Sequence, residues 1–201
     1  MIRIVLASAS PRRRALLTAL GLHFDVIASG VDEHFNGCPH EMVVSNARAK
    51  RDDVAARLDA PSLVIAADTL VFAGEHVLGK PATLDEARIM VRTLSGNVHQ
   101  VYTGLSLLDT SANAHAEGWE CTDVRFRDLS DHEIDRFVEA VKPTDRAGAY
   151  TVDGPGSLLV ASYCGCYYNV LGLPVVRLDV LARELGYSLF DLMCADRALF
   201  L

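Results

Sequence analysis

The stretch Ile2-Arg-Ile-Val-Leu-Ala7, followed by Ser8-Ala-Ser-Pro-Arg-Arg-Arg14, decides how the chain is read. The apolar run fits a buried strand, and the residues after it fit a tight turn and a helix start. Ser10 suits the N-cap and Pro11 the first helical position. The free N–H groups of that first turn and the guanidinium forks of Arg12 and Arg13 would converge on one spot. Such donors make a site for an anion, in particular a phosphate or a phosphate chain. A lone arginine would be a solvated surface residue. The Ser-x-Ser-Pro-Arg-Arg cluster behind an opening strand reads instead as a ligand site, with Ser8 and Ser10 in its turn.

Outward from this stretch, composition sets the bounds. A length of 201 residues allows one large domain or two lobes sharing a core. A net charge of −7 and a pI near 5.4 argue against a general nucleic-acid binder and suit a local basic pocket. The basic cluster follows the apolar run and does not precede it, which is not the pattern of a signal peptide. The uncharged stretch 154–176 contains Pro155, Pro174, Asn169 and several glycines, so it reads as a buried loop, strand and turn and not as a membrane span. The five cysteines are scattered. Cys164 and Cys166 form a C-x-C pair, and no His or Cys partner lies at zinc spacing, so free thiols in a reducing cytoplasm are expected.

Further along, a helix is expected over 11–20, with Leu16, Leu17 and Leu20 inward and Gly21 at its end. A strand should cover 23–28. The loop after it carries Asp32 and Glu33, which matter if a phosphate site lies near, because Mg²⁺ takes hard oxygen ligands. A helix over 40–58 has Met42, Val43, Ala47, Ala49 and Val54 as apolar candidates. Arg48, Lys50 and Arg51 make it basic, and one of them could reach the phosphate site. Leu63–Ala67 fits a buried strand ending at Asp68-Thr69, where open α/β sheets place catalytic groups.

The stretch 74–81 comes near the P-loop pattern but has Pro81 where Ser or Thr would hold Mg²⁺. It reads better as a hairpin and turn, with Lys80 as a phosphate-contacting cation. Thr83-x-x-Glu86 and Ser130-x-x-Glu133 are capping boxes that open helices. The first helix should turn Ala87, Ile89 (or Met90) and Leu94 inward. Strands over 99–109 and 120–127 should flank a loop at 110–118, with His99 in a structural hydrogen bond. Residues 158–161 and 167–170 read as strands. Gly172-Leu-Pro174 should launch a helix to Leu185 with Val176, Val180, Leu181 and Leu185 on one face, and Ser188 a short last helix. This alternation predicts an α/β fold: a two-lobed mixed sheet flanked by helices, with an active-site cleft between the lobes, in one domain over 1–201.

Basic residues at a helix start, further lysines, and carboxylates at loop and strand ends describe a polyphosphate and divalent-metal site. The segments Ala7–Arg14, Ala67-Asp68-Thr69, Leu78–Pro81, Leu94-Ser-Gly96 with His99 and Thr103-Gly104, Ala147–Tyr150 and Asn169–Pro174 together resemble the Maf family of nucleoside triphosphate pyrophosphatases. They span almost the whole chain. The resemblance implies a fold similar to inosine triphosphatase. It implies cleavage between the α- and β-phosphates of a nucleotide with Mg²⁺ or Mn²⁺, in the cytoplasm, and a link to arrest of septum formation.

By matching position, Asp68 would accept the proton of water. Arg12 and Arg13 would contact phosphate or base, and Glu33, Lys50 and Lys80 would complete the metal and phosphate site, Glu33 and Asp68 on the metal. Base selection would fall to Arg12, Thr69 and Asp153. The first two resemble the branch acting on dTTP and UTP, which has Gln where this chain has Asp153. An ionised carboxylate only accepts hydrogen bonds, so Asp153 would weaken pyrimidine recognition or favour a donor-rich base, as in the branch similar to 7-methyl-GTP pyrophosphatases. A non-catalytic, nucleotide-binding regulator of septum formation is the rival class. Neither nucleic acid nor membrane is expected as a partner, and the 110–118 loop and apolar composition are compatible with a homodimer.

Overall fold

The computed structural model describes residues 2–194 and contains a mixed α/β fold around a seven-stranded sheet. In chain order the elements begin β1 (Arg3–Leu6), α1 (Pro11–Ala19), β2 (Phe24–Val26), α2 (Pro39–Ala55), β3 (Ser62–Ala73), β4 (His76–Leu78) and α3 (Leu84–Leu94). There follow β5 (Val98–Asp109), β6 (Ala114–Phe126), α4 (Asp131–Val141), β7 (Val160–Cys164), α5 (Tyr167–Val170), α6 (Val175–Glu184) and α7 (Leu189–Leu192). The sheet order is β2-β1-β3-β5-β6-β7, with β4 on β3. Among the described residues no helix is long and apolar enough to cross a membrane.

Two compact units share the long strands. The first gathers residues up to Asp68, the segment Thr103–Glu120 and the chain from Gly172 on. In it β1 runs parallel to β2 and to the first half of β3, with Ile4 opposite Phe24 and Leu63. Val5, Ala7, Val54, Val64 and Ala66 form a fully buried cluster between this sheet and α2. Short apolar strands hidden on both faces need no alternation, which is why β1 reads as a continuous apolar run. The second unit holds Thr69–Tyr102 and Cys121–Leu171. There β4 pairs antiparallel with the end of β3, β7 pairs antiparallel with β6, and α3 packs on α4.

Several expectations need correction. β3 does not end at Asp68-Thr69; it runs on to Ala73, because β4 gives its second half a partner. The expected loop 110–118 is a short turn. Asp109 Oδ1 accepts hydrogen bonds from the Ser111 N–H (2.8 Å) and hydroxyl (2.6 Å), Asn113 takes a positive φ, and β6 starts at Ala114. Residues 167–170 form α5, not a strand, and β7 begins two residues after Leu158. In α3, Ile89 faces solvent and Val91 is buried in its place. The inward face of α6 is Leu178, Leu181 and Ala182, with Val176 and Val180 exposed. Ser130 closes a full capping box, whereas Glu86 reaches back to the Ala82 N–H, one residue before the Thr83 cap. Ser188 makes no capping bond; the Leu189 N–H goes to Asp179. The sequence spacing of the cysteines suggested no metal ligands, yet the start of α2 brings ligand atoms of Cys38, His40 and Glu41 within 4.8 Å of one another.

His99 is buried in the second unit, edge-on to Phe126 and Tyr150 at ring-centroid distances of 4.9 and 5.3 Å. Its Nε2 lies 2.7 Å from the Tyr150 hydroxyl, the structural bond expected of it. Burial lowers its pKa to about 4, against about 6.5 in the unfolded chain. Between those values the unfolded state binds the extra proton. Stability is therefore unaffected above pH 6.5 and falls as pH drops toward 4. Urea unfolding at pH 7 and pH 5 should show a loss of about 2 kcal/mol that is absent in His99→Phe. Equal losses in both proteins would remove His99 as the cause.

Candidate active site

Within the first unit, β3 and α2 bring an acid, an amide and an amine together. Asp68 is 2% exposed. Its Oδ2 accepts a hydrogen bond from Asn46 Nδ2 at 2.9 Å and its Oδ1 one from Lys50 Nζ at 2.6 Å. The same ammonium donates to Glu33 Oε1 at 2.7 Å. Asn46 and Lys50 stand four residues apart on α2, so both reach the same side of that helix. Asn46 also clamps the loop that carries Glu33: its Oδ1 accepts from the His34 N–H at 2.8 Å and its Nδ2 donates to the His34 carbonyl at 3.0 Å. Asp32, the other loop acid, is exposed.

The opening turn supplies the basic side. Ser10 is the N-cap of α1, its Oγ accepting from the Arg13 N–H at 3.4 Å, and Pro11 is the first helical residue. The Arg14 N–H goes to the Ser10 carbonyl. The first turn therefore presents fewer open N–H groups than the sequence suggested, because the cap itself takes one. Arg13 is buried: Nε donates to the Gly172 carbonyl at 2.8 Å and Nη1 to Ser8 Oγ at 3.0 Å. Ser8 Oγ also accepts from the Ser10 N–H at 3.2 Å. Burial pulls the Arg13 guanidinium below its ordinary pKa, the Asp68 charge pushes it back up, Arg12 lowers it, and Glu33 raises it. Arg13 thus sits in the field of both carboxylates, with Arg12 half-buried beside it.

This donor set fits a hard divalent cation. The carboxylates of Glu33 and Asp68 already converge on one cationic atom, Lys50 Nζ, and both offer oxygen ligands of the kind Mg²⁺ and Mn²⁺ take.

The remaining candidates lie in the second unit. Thr69 is half-buried in β3. Lys80 is exposed just past β4, where the Gly79 carbonyl accepts from the Gly148 N–H at 3.0 Å. Asp153 is exposed at the start of the 3₁₀ turn Gly154–Leu159 and accepts a hydrogen bond from the Thr151 hydroxyl.

Asn46 was missed from sequence, although a signal existed. It lies three residues from Val43 and four from Met42 on a buried helical stripe, and a polar amide on such a stripe needs partners. The other basic residues of α2 have structural tasks. Arg51 is buried against Ser106 and Glu117, and Arg48 grips the same Glu117 from the surface.

An α/β sheet carrying a paired acid, amine and amide beside a capped arginine turn defines a protein built to hold anionic and cationic groups together. The chain belongs to the Maf-like family, whose model matches residues 3–185. A dTTP/UTP pyrophosphatase of Caldicellulosiruptor bescii is 42% identical over 194 residues, covering 94% of this chain and 98% of the relative. One from Pelotomaculum thermopropionicum is 45% identical over 190 residues, covering 94% and 99%. Among solved structures, the Staphylococcus aureus Ham1 protein aligns with a TM-score of 0.44 at 17% identity, over 63% of this chain and 72% of that one.

Proposed function

We propose that this chain hydrolyses nucleoside triphosphates between the α- and β-phosphates, releasing a nucleoside monophosphate and pyrophosphate, with dTTP and UTP as preferred substrates. The observation that carries the reading is the Asp68–Lys50–Glu33 constellation steadied by Asn46. The names of the relatives point the same way. Asp68 accepts from Asn46 on one oxygen and from Lys50 on the other, and a carboxylate has about four lone-pair sites, so it keeps room to bind and deprotonate a water. That water adds across the anhydride, its proton passes to Asp68, and pyrophosphate leaves. Lys50, Arg12, Arg13 and Lys80 offset the phosphate charge, with Ser8 and Ser10 shaping the turn. Glu33 and Asp68 would hold Mg²⁺ or Mn²⁺, which would supply charge neutralisation at the phosphates.

In this reading residues 1–201 act as one catalytic domain in the cytoplasm. Arg12, Thr69 and Asp153 choose the base. Asp153 is the residue that favours a second substrate class, since its carboxylate only accepts hydrogen bonds while ionised.

A panel of ordinary and modified nucleoside triphosphates with Mg²⁺ or Mn²⁺, assayed separately for pyrophosphate and orthophosphate, tests the proposal. Pyrophosphate from dTTP and UTP, lost on adding excess EDTA, is expected. Turnover confined to guanine-type substrates and restored to pyrimidines by Asp153→Gln would keep the reaction and reassign the base. Orthophosphate as the product, or no turnover across the panel, would overturn the proposal.

A further inference from the structure

We propose that Cys38, His40 and Glu41 form a binding site for a thiophilic divalent metal, with Zn²⁺ the best match, apart from the Asp68–Lys50 centre. Cys38 occupies the N-cap of α2, a position that Ser, Thr, Asp or Asn would normally fill to bond the helix N–H groups. Its thiol is hydrogen-bonded to Glu41, and Sγ lies 3.7 Å from His40 Nε2. Sulfur and nitrogen ligands on one tetrahedral zinc stand about 3.5 Å apart, given metal–ligand lengths of about 2.3 and 2.0 Å. The pair is therefore near ligating separation already. Glu41 supplies a third donor, all three atoms lying within 4.8 Å of one another, and its exposed side chain can close the rest by rotation.

Two features hold the arrangement. Pro39 restricts the backbone between Cys38 and His40. The Trp119 ring packs against the His40 ring at a centroid distance of 5.3 Å and a tilt of 32°. The site opens to solvent, which leaves an entry path and a fourth position for water. Thiolate and imidazole select Zn²⁺ over Mg²⁺, whereas the all-oxygen pair Glu33 and Asp68 has the opposite preference. On binding, the Cys38 S–H bond is replaced by a sulfur–metal bond and the proton passes to solvent.

Co²⁺ titration of the reduced, metal-free protein tests this. A thiolate-to-cobalt charge-transfer band should grow to one equivalent and vanish when Zn²⁺ is added. Emission from Trp119, the chain's single tryptophan, should be quenched over the same range. Cys38→Ser should abolish the band with the other four thiols intact. His40→Gln should weaken Zn²⁺ by more than the roughly 10–100-fold lost with an outer supporting partner. Both variants alter solvent-accessible side chains, and circular dichroism checks that the fold is kept. Cobalt on Glu33 and Asp68 has no sulfur ligand and gives no such band, so Asp68→Asn should retain it whether or not that protein is an enzyme. No band in the wild-type protein, or a band that survives Cys38→Ser, would overturn the site.

Discussion

Asp68→Asn should lower pyrophosphate release by about 10²–10⁴-fold, the range expected for losing a general base, while the protein stays folded. The substitution keeps the size and planarity of the side chain, so the packing around β3 is unchanged. What changes is the pattern of donors. Asp68 now accepts from Asn46 Nδ2 on one oxygen and from Lys50 Nζ on the other. An asparagine in its place keeps one acceptor and turns an NH₂ group toward whichever donor remains. That mismatch costs about 1–3 kcal/mol for an unsatisfied buried group, against a total stability of about 5–15 kcal/mol. Lys50 retains Glu33 as its partner, which limits the damage. Steady-state rates should therefore show the loss in kcat, and the unfolding midpoint should move only modestly. Near wild-type turnover in Asp68→Asn would place the base elsewhere. Lys50→Met is the informative companion, because it leaves Asp68 and Glu33 facing each other without the ammonium between them. Removing one partner of a buried pair costs about 3–5 kcal/mol, so this variant should lose more stability than Asp68→Asn.

The features legible in the sequence are those decided by near neighbours along the chain. The Ser10 cap with Pro11 and the Thr83 and Ser130 helix starts all depend on residues a few positions apart. Asp68 was legible for a weaker reason. An ionisable residue inside an apolar run is conspicuous, even though the strand end proposed for it does not exist. The errors arise where a distant partner decides. β3 is the exception: β4, which carries it past Asp68, lies close by in sequence, but the expected strand ends at Asp68-Thr69. Residues 167–170 have strand-like aromatic and branched side chains. They form a helical turn around Asn169, whose amide donates to the Val101 carbonyl at 2.8 Å and to Thr122 Oγ1 at 2.9 Å. In α6, Val175, Val176, Leu178, Val180 and Leu181 are apolar on nearly every side, so periodicity alone does not choose a face. Lys50 shows the same limit inside the site. Its neighbours Arg48 and Arg51 look equivalent in sequence, and only the register of α2 against β3 sends Lys50 to the carboxylates.

That register rests on Gly104, and Gly104→Ala should cost about 3 kcal/mol or more, toward the upper end of overpacking changes. A Cβ at this position would lie 2.3 Å from the carbonyl carbon and oxygen of Val43 and 2.5 Å from the Val44 nitrogen. These are backbone atoms in the middle of α2, so no side-chain rotation relieves the clash. The helix must move away from β5 by about 1 Å to reach ordinary contact in a close-packed interior. Val43 and Ala47 are fully buried on that helix, and Asn46 and Lys50 ride on it, so the displacement reaches the site as well as the core. A misplacement of about 1 Å near reacting groups costs about 10²-fold in rate. Gly104→Ala should thus lower the urea midpoint without changing the m-value, and depress turnover in the protein that remains folded. Gly118→Ala is the matched control in the same unit. Its Cβ would meet only the flexible ends of Leu181 and Arg177, at 3.4 and 3.5 Å, and its stability should stay within about 0.5 kcal/mol of wild type. If both alanines behaved alike, the close approach of β5 to α2 would not be what holds Lys50 on Asp68. If only Gly104→Ala fails, the glycine of the Thr103-Gly104 pair is explained by the helix backbone passing over it and needs no ligand contact of its own.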